Sequence, residues 1–130
     1  MRKVKVLIVD DERPLAEMIR MNFNLEQFDA RACYTGRDAL KETRSQPPDL
    51  ILLDVTMPDM SGWEVLTLLK ADPKTASIPV IMCTARDGPE DIEQSFQRGA
   101  QSYIIKPVDF PKLMQKVSAI LDLERLLKET

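Results

Sequence analysis

Histidine is absent from this sequence of 130 residues. Its absence excludes Ser/His/Asp and Cys/His nucleophile systems and histidine-ligated metals, so carboxylates, hydroxyls and lysines are left to carry any chemistry. Cysteine is nearly absent as well. Cys33 and Cys83 both lie inside apolar segments and lack the spacing of a metal site, which predicts buried free thiols and no disulfide.

Long apolar runs and dense basic stretches are also missing. No run approaches the roughly 20 residues of a membrane-spanning helix, and the opening residues MRKVK carry no signal-peptide cleavage site. We therefore expect a cytoplasmic protein with no membrane contact. The 18 basic and 21 acidic residues give a net charge of −3, which argues against direct binding of nucleic acid. The remaining composition, 44% hydrophobic and 30% charged, is typical of one ordinary globular domain.

Five short apolar runs alternate with segments whose apolar residues recur at helical spacing. The runs lie at residues 3–9, 30–34, 49–54, 78–83 and 101–105, and a helical pattern follows each of them. No hairpin signal separates any two runs, so the alternation predicts an α/β fold with a parallel sheet and helices on both faces. The run at 30–34 is less apolar than the first, which predicts a strand at the edge of the sheet.

Polar side chains stand where four of these runs stop. Asp10 and Asp11 follow the first run, Asp54 ends the third, Thr84 follows the fourth and Lys106 follows the fifth. Because the carboxyl ends of parallel strands meet at one edge of a sheet, we expect these side chains to be neighbours. Clustered carboxylates repel one another unless a hard divalent cation lies among them, and Mg2+ fits best, with Mn2+ as a substitute.

A phosphoryl group suits the same set of side chains. A carboxylate such as Asp54 attacks phosphorus when a metal neutralises the incoming oxygens, and the product is an acyl phosphate. Lys106 supplies a positive charge for a phosphoryl oxygen, and Thr84 supplies a hydroxyl donor. Each residue alone has a simpler explanation, such as a helix cap, a turn or a solvated charge. The joint pattern favours the phosphoryl site.

Four segments resemble the signature blocks of the response-regulator receiver domain of two-component signalling: VLIVDDE, ILLDVTMPDMSG, VIMCTA and YIIKP. The resemblance covers about residues 3–121. It implies the flavodoxin-like, doubly wound fold, in which a five-stranded parallel sheet of order 2-1-3-4-5 lies between layers of five helices. It also implies a receiver domain at 1–121, followed at 122–130 by a helical extension that could link to an output domain.

The resemblance assigns roles position by position. Asp54 is implied to be the phosphoacceptor, with Asp11 as a direct magnesium ligand and Asp10 beside it, often acting through water. The backbone carbonyl of Thr56 is implied to be a further metal ligand. Thr56 and Arg86 occupy positions that vary among receivers and tend to set the lifetime of the phosphoryl group.

The switch residues are implied in the same way. Thr84 is implied to be the switch hydroxyl and Tyr103 the switch aromatic, whose ring turns inward when Thr84 moves toward the phosphoryl group. Lys106 is implied to contact the phosphate and to precede Pro107 through a bond that is often cis in such proteins. The readout is then the face of the fourth helix, fifth strand and fifth helix, which could also form a phosphorylation-dependent homodimer.

The expected function is a phosphorylation-controlled signalling switch, which has no enzymatic activity apart from its own slow phosphorylation and dephosphorylation. The donor is a histidine kinase or phosphotransfer protein, and the target is a downstream protein or a fused output domain. A haloacid dehalogenase-type phosphatase is a rival, but Thr56 stands where that class needs a second Asp. A flavin module is disfavoured because the acidic segment 10–12 would repel its phosphate. A receiver that binds partners without phosphorylation is the third alternative.

Overall fold

The computed structural model describes residues 2–85 and 88–129, with side chains described up to residue 125. A helix follows every strand, as the sequence pattern predicts. The elements are β1 (Lys5–Val9), α1 (Arg13–Leu25), β2 (Asp29–Cys33), α2 (Gly36–Ser45), β3 (Leu50–Asp54), α3 (Gly62–Ala71), β4 (Val80–Thr84), α4 (Pro89–Gln97), β5 (Ser102–Ile105) and α5 (Phe110–Glu129).

The five strands form one parallel sheet in the order β2-β1-β3-β4-β5. This order confirms the predicted flavodoxin-like topology, and the less apolar strand β2 lies at an edge of the sheet as expected. Since all strands run in the same direction, their last residues lie along one side of the sheet. We call this side the carboxyl edge.

Apolar side chains are buried on both faces of the sheet, which explains the unbroken apolar runs. Along β1, Leu7 and Val9 pack on the face that α2 and α3 cover, while Val6 and Ile8 pack on the face that α1 and α5 cover. The residues of β3 alternate in the same way. The central strands are therefore held from both sides, and their carboxyl ends are rigid supports for polar side chains.

Two helices begin at hydroxyl caps. The Thr35 hydroxyl accepts a hydrogen bond from the backbone N–H of Asp38 at the start of α2 (3.1 Å). The Ser61 hydroxyl accepts one from the backbone N–H of Glu64 at the start of α3 (3.2 Å). Each cap satisfies one of the free N–H groups of a first helical turn. The cap at Ser61 fixes where α3 begins, next to the end of β3.

Some boundaries differ from the predicted ones. β4 begins at Val80, two residues later than predicted, because Pro79 has no N–H to donate to a neighbouring strand. The Pro79 carbonyl instead accepts a hydrogen bond from Ile51 (3.0 Å). β1 begins at Lys5, where its pairing with β2 starts. Val4 precedes the strand, although its carbonyl accepts a hydrogen bond from the N–H of Asp29 on β2 (2.9 Å).

The last helix is longer than the sequence pattern predicts for a sheet-covering helix. α5 continues without a break from Phe110 to Glu129, so the proposed extension at 122–130 is helical over its described part. A division between domain and linker at residue 121 remains a prediction. None of the helices in the described ranges is long and apolar enough to cross a membrane.

Both cysteines are free thiols as predicted, but the predicted burial holds for only one of them. Cys83 is buried and Cys33 is half-buried. Burial raises the pKa of Cys33 to about 11 and that of Cys83 to about 12. Both thiols are consequently protonated and unreactive at neutral pH.

Candidate functional site

Three carboxylates meet at the carboxyl edge. Asp54 is the last residue of β3, and Asp10 and Asp11 follow the adjacent strand β1. One carboxylate oxygen from each lies within 4.8 Å of the other two. Asp10 and Asp54 are only 2% and 4% exposed, whereas Asp11 is exposed. The structure thus brings together the acids that the sequence predicts, in a cluster that is open to solvent on one side.

Lys106 closes the cluster from β5. Its Nζ lies 3.0 Å from an oxygen of Asp10 and 3.4 Å from an oxygen of Asp54. A third carboxylate, that of Glu12, lies 3.2 Å from the same nitrogen. The backbone N–H of Lys106 donates to the carbonyl of Thr84 (2.8 Å), so the end of β4 fixes the start of the lysine side chain. One ammonium group therefore faces three carboxylates.

The electrostatics of Asp54 and Lys106 follow from this arrangement. Burial and the nearby charge of Asp10 raise the pKa of Asp54 to about 6, although contacts with Lys106 act in the opposite direction. Burial alone would lower the pKa of Lys106, but its hydrogen bond to Asp10 and the charge of Asp54 raise it above the ordinary value. Lys106 is thus charged at neutral pH, and Asp54 is ionised at an energetic cost.

The donor set suits a magnesium ion. Mg2+ prefers hard oxygen ligands at about 2.1 Å, so ligands on opposite sides of the ion stand about 4.2 Å apart. The three carboxylate oxygens lie within 4.8 Å of one another, close enough for small side-chain rotations to bring them to a single ion. A cation there would also relieve the repulsion that raises the pKa of Asp54. Within the described ranges, no other group of carboxylates or thiols has metal-ligand spacing.

Comparison with known proteins agrees with this geometry. The sequence model of the family described as "Response regulator receiver domain" matches residues 6–118. The chain belongs to this family. Its receiver domain is similar in structure to a CheY-like response regulator receiver domain protein from Methanospirillum hungatei JF-1, with 28% identity and a TM-score of 0.88 over 99% of this chain and 100% of that one. It is also similar to the chemotaxis protein CheY4 of Vibrio cholerae, with 25% identity and a TM-score of 0.86 over 91% and 98% of the two chains.

A curated relative of the receiver domain is much longer. The chain is 40% identical over 121 residues, or 92% of its length, to a Vibrio cholerae protein named as a probable cyclic di-GMP phosphodiesterase. Those residues make up 27% of that protein, so the chain spans about a quarter of its length.

The connection between β3 and α3 holds the phosphoacceptor candidate of the receiver domain in place. The N–H of Gly62 donates to the carbonyl of Val55 (2.7 Å), and the N–H of Val55 donates to Cys83 on β4 (3.3 Å). The backbone N–H of Thr56 hydrogen-bonds the carboxylate of Asp54. The carboxylate is thus oriented by its own loop as well as by the sheet.

Two hydroxyl residues lie near the acids. Thr84 is buried at the end of β4, one residue beyond Cys83, which pairs with Asp54 in the sheet. Thr56 is exposed, two residues after the phosphoacceptor candidate. The switch role of Thr84 and the ligand role of the Thr56 carbonyl remain predictions. Arg86, whose position the resemblance associates with phosphoryl lifetime, lies outside the described residues.

Tyr103 stands apart from the acid cluster. It lies in β5, and its ring packs edge-on against Phe96 of α4, with 5.8 Å between ring centroids. The Nζ of Lys116 on α5 lies 4.9 Å from the centroid of the same ring. Tyr103 therefore connects α4, β5 and α5, which is where a switch aromatic is expected. Whether its ring moves remains a prediction.

Sequence reasoning gives no role to two residues that support the site. Glu12 reaches Lys106 from the first residue after the acid pair, and its position in the sequence is the only signal that could have indicated this. Gly62 begins α3 directly against the backbone of Asp54. A small residue just before a helical pattern was a usable signal for such close packing. The bond from Lys106 to Pro107 is cis, as the resemblance implies.

Proposed function

We propose that this receiver domain is a phosphoacceptor switch, in which Asp54 takes a phosphoryl group with Mg2+ bound to the neighbouring acids. One observation carries the proposal: a buried carboxylate, two further carboxylates and a lysine ammonium group lie within reach of one another at the carboxyl edge. The acids would hold a cation, and the cation and Lys106 would together neutralise the negative charge of a phosphoryl group on Asp54.

The reaction is an in-line phosphoryl transfer. An oxygen of the Asp54 carboxylate attacks the donor phosphorus, and the new O–P bond forms as the bond to the leaving group breaks. The electron pair of the broken bond departs with the leaving group. A bound Mg2+ supplies Lewis-acid neutralisation of the phosphoryl oxygens. Lys106 then donates to a phosphoryl oxygen, and in this proposal Thr84 donates its hydroxyl from the adjacent strand.

The partners follow from the family and from the fold. A histidine kinase or phosphotransfer protein would donate the phosphoryl group in the cytoplasm, and the chain would otherwise have no enzymatic activity of its own. The long relative in Vibrio cholerae, of which this chain covers 27%, supports an output domain fused beyond the receiver. The unbroken helix α5 would then carry the signal toward it. The face of α4, β5 and α5 would serve as the readout or as a homodimer interface.

The phosphoacceptor assignment is tested by mass spectrometry of the intact protein. We expect wild type to gain the mass of one phosphoryl group after incubation with acetyl phosphate and Mg2+, and Asp54→Asn to gain none. Asp29→Asn, at the opposite edge of the sheet, is the matched control and should be phosphorylated like wild type. An equal gain in Asp54→Asn would refute the assignment. Steady release of phosphate from p-nitrophenyl phosphate would instead favour a phosphatase, and no gain in wild type would favour a phosphorylation-independent module.

The single tryptophan offers a readout of the α4 position. Trp63 on α3 donates its indole N–H to the hydroxyl of the buried Ser95 on α4 (3.2 Å). If phosphorylation moves α4, this hydrogen bond changes, and we expect a change in tryptophan emission when phosphodonor and Mg2+ are added together. The change should shrink in Ser95→Ala, which lacks the acceptor. An unchanged emission spectrum in protein that is phosphorylated by mass would contradict the predicted movement.

A further inference from the structure

Lys106 contacts three carboxylates, and only one of them lies outside the candidate metal and phosphoryl site. Asp10 and Asp54 belong to the acid cluster, but Glu12 does not. The oxygen of Glu12 lies 3.2 Å from Nζ of Lys106, with the Glu12 side chain 62% exposed and the lysine side chain 14% exposed. Glu12 therefore reaches the lysine from the solvent side of the site.

The geometry points to Glu12 as a residue that restrains Lys106 and so slows the phosphorylation of Asp54. This inference rests on the proposed function. In the resting protein, three carboxylates compete for one ammonium group. A metal ion on the cluster would engage Asp10, and the reaction converts Asp54 to an acyl phosphate. Glu12 is then the carboxylate still competing with the phosphoryl group for Lys106.

The backbone keeps Glu12 close to the site throughout. Its N–H donates to the carboxylate of Asp10 (2.9 Å), and its carbonyl accepts from Ala16 in the first turn of α1 (3.0 Å). Because residue 12 is the N-terminal cap of α1, moving it would disturb the helix start. The Glu12 carboxylate can rotate into solvent, but it cannot move far from Lys106. Glu12 therefore restrains the Lys106 ammonium group only weakly.

The expected effect is correspondingly modest. An exposed ion pair has a weak free energy, so its removal should change the phosphorylation rate by roughly two- to fivefold. The step measured is attack of Asp54 on acetyl phosphate, in which the O–P bond to Asp54 forms while the P–O bond to acetate breaks. Acetate leaves with the electron pair, and no oxidant or reductant is needed. Glu12 would be a positioning residue, since it acts through Lys106.

Two variants separate the restraint of Lys106 from simple charge repulsion of the donor. Glu12→Gln removes both the charge and the ion pair. Glu12→Asp keeps the charge at the mouth of the site but is one methylene shorter, so its carboxylate loses contact with Lys106. Glu26→Gln removes the same charge at the far end of α1 and is the matched control. Initial rates with acetyl phosphate are measured at saturating Mg2+, so that changes in metal affinity do not enter.

We expect Glu12→Gln and Glu12→Asp to be phosphorylated roughly two- to fivefold faster than wild type, and Glu26→Gln at the wild-type rate. If Glu12→Gln is phosphorylated faster than wild type and Glu12→Asp at the wild-type rate, the charge of Glu12 repels the donor and the inference is overturned. Wild-type phosphorylation rates in both variants would also overturn it. If wild type itself gains no phosphoryl group, the proposed function fails. If wild type and Glu26→Gln are phosphorylated normally, a negative result concerns Glu12 alone.

Discussion

Asp54→Asn is expected to raise the free energy of unfolding by about 1–3 kcal/mol at neutral pH without Mg2+. The wild-type side chain is buried beside Asp10, and these surroundings raise its pKa from 3.8 to about 6. In the unfolded chain the same carboxyl group has its ordinary pKa. Asparagine has nearly the same shape and no charge, so it removes the cost of holding an anion at this position.

The pH dependence has a definite sign. Between the unfolded and folded pKa values of Asp54, the folded protein binds its proton more tightly than the unfolded chain does. The contribution of Asp54 to the free energy of unfolding is therefore largest below about pH 4 and falls as the pH rises to about 6. Above that pH it stays at the lower value. Since asparagine does not titrate, the advantage of Asp54→Asn should grow across this window and then level off. Urea unfolding at a series of pH values measures it.

Asp59→Asn is expected to change the stability at neutral pH in the opposite direction. Burial alone would raise the pKa of Asp59, but its hydrogen bonds from the backbone N–H groups of Gly36 and Arg37 lower it overall. This variant should be less stable than wild type at neutral pH, and the deficit should shrink as the pH falls. If both variants changed stability in the same direction at neutral pH, the electrostatic account of Asp54 would be wrong.

Magnesium should act on wild type and Asp54→Asn in different ways. A ligand that binds only the folded state stabilises it by mass action. We expect Mg2+ to raise the unfolding free energy of wild type and to have little effect on Asp54→Asn, which lacks one of the proposed ligand carboxylates. The stability advantage of the variant should therefore narrow when Mg2+ is added. An equal effect of Mg2+ on both proteins would place the ion elsewhere.

The fold and the centre of the site could be predicted because both follow from strand order and strand ends. An unbroken apolar run such as residues 50–53 requires cover on both faces, which leaves few options besides a parallel sheet with helices on each side. Once the strands are parallel, Asp10, Asp54 and Lys106 must reach the same edge whatever the loops do. These positions depend on the backbone alone, and sequence periodicity specifies the backbone well.

The remaining details depend on side-chain geometry, which the periodicity of apolar residues in the sequence does not predict. The contact of Glu12 with Lys106 needs a particular rotamer at the start of α1, and any strand-end pattern is equally compatible with a glutamate that points away. The hydrogen bond from Trp63 to Ser95 depends on how α4 lies against α3. The late start of β4 follows from local chemistry at Pro79. Such features emerge only when neighbouring elements are placed in contact.

The second large effect on stability is expected at Gly62, where α3 packs closely against β3. A Cβ at this position would lie 2.8 Å from the carbonyl carbon of Asp54 and 3.0 Å from the Cα of Val55. It would lie closer still to the carbonyl oxygen of Asp54. These are backbone atoms of a strand buried on both faces, so they cannot give way as a flexible side chain would.

Gly62→Ala is therefore expected to lower the free energy of unfolding by about 2–4 kcal/mol. The matched control is Gly88→Ala at the start of α4, where the added methyl group would meet, among the residues that the structure describes, only a carboxylate oxygen of Asp91 at 3.4 Å. That change should cost less than about 1 kcal/mol. Urea unfolding followed by circular dichroism compares the two variants, and near-wild-type stability of Gly62→Ala would contradict the packing argument.

Gly62→Ala also allows its effect on stability to be compared with its effect on the rate of phosphorylation. If Gly62→Ala stays folded at low temperature, the strain must be relieved by moving the start of α3 or the end of β3, and the latter carries Asp54. We then expect slower phosphorylation by acetyl phosphate than in Gly88→Ala, because a small displacement of the attacking carboxylate costs rate steeply. Wild-type phosphorylation in a strongly destabilised Gly62→Ala would mean that α3 moves and the site does not. The methyl group at position 62 thus tests how rigidly the sheet holds the proposed phosphoacceptor.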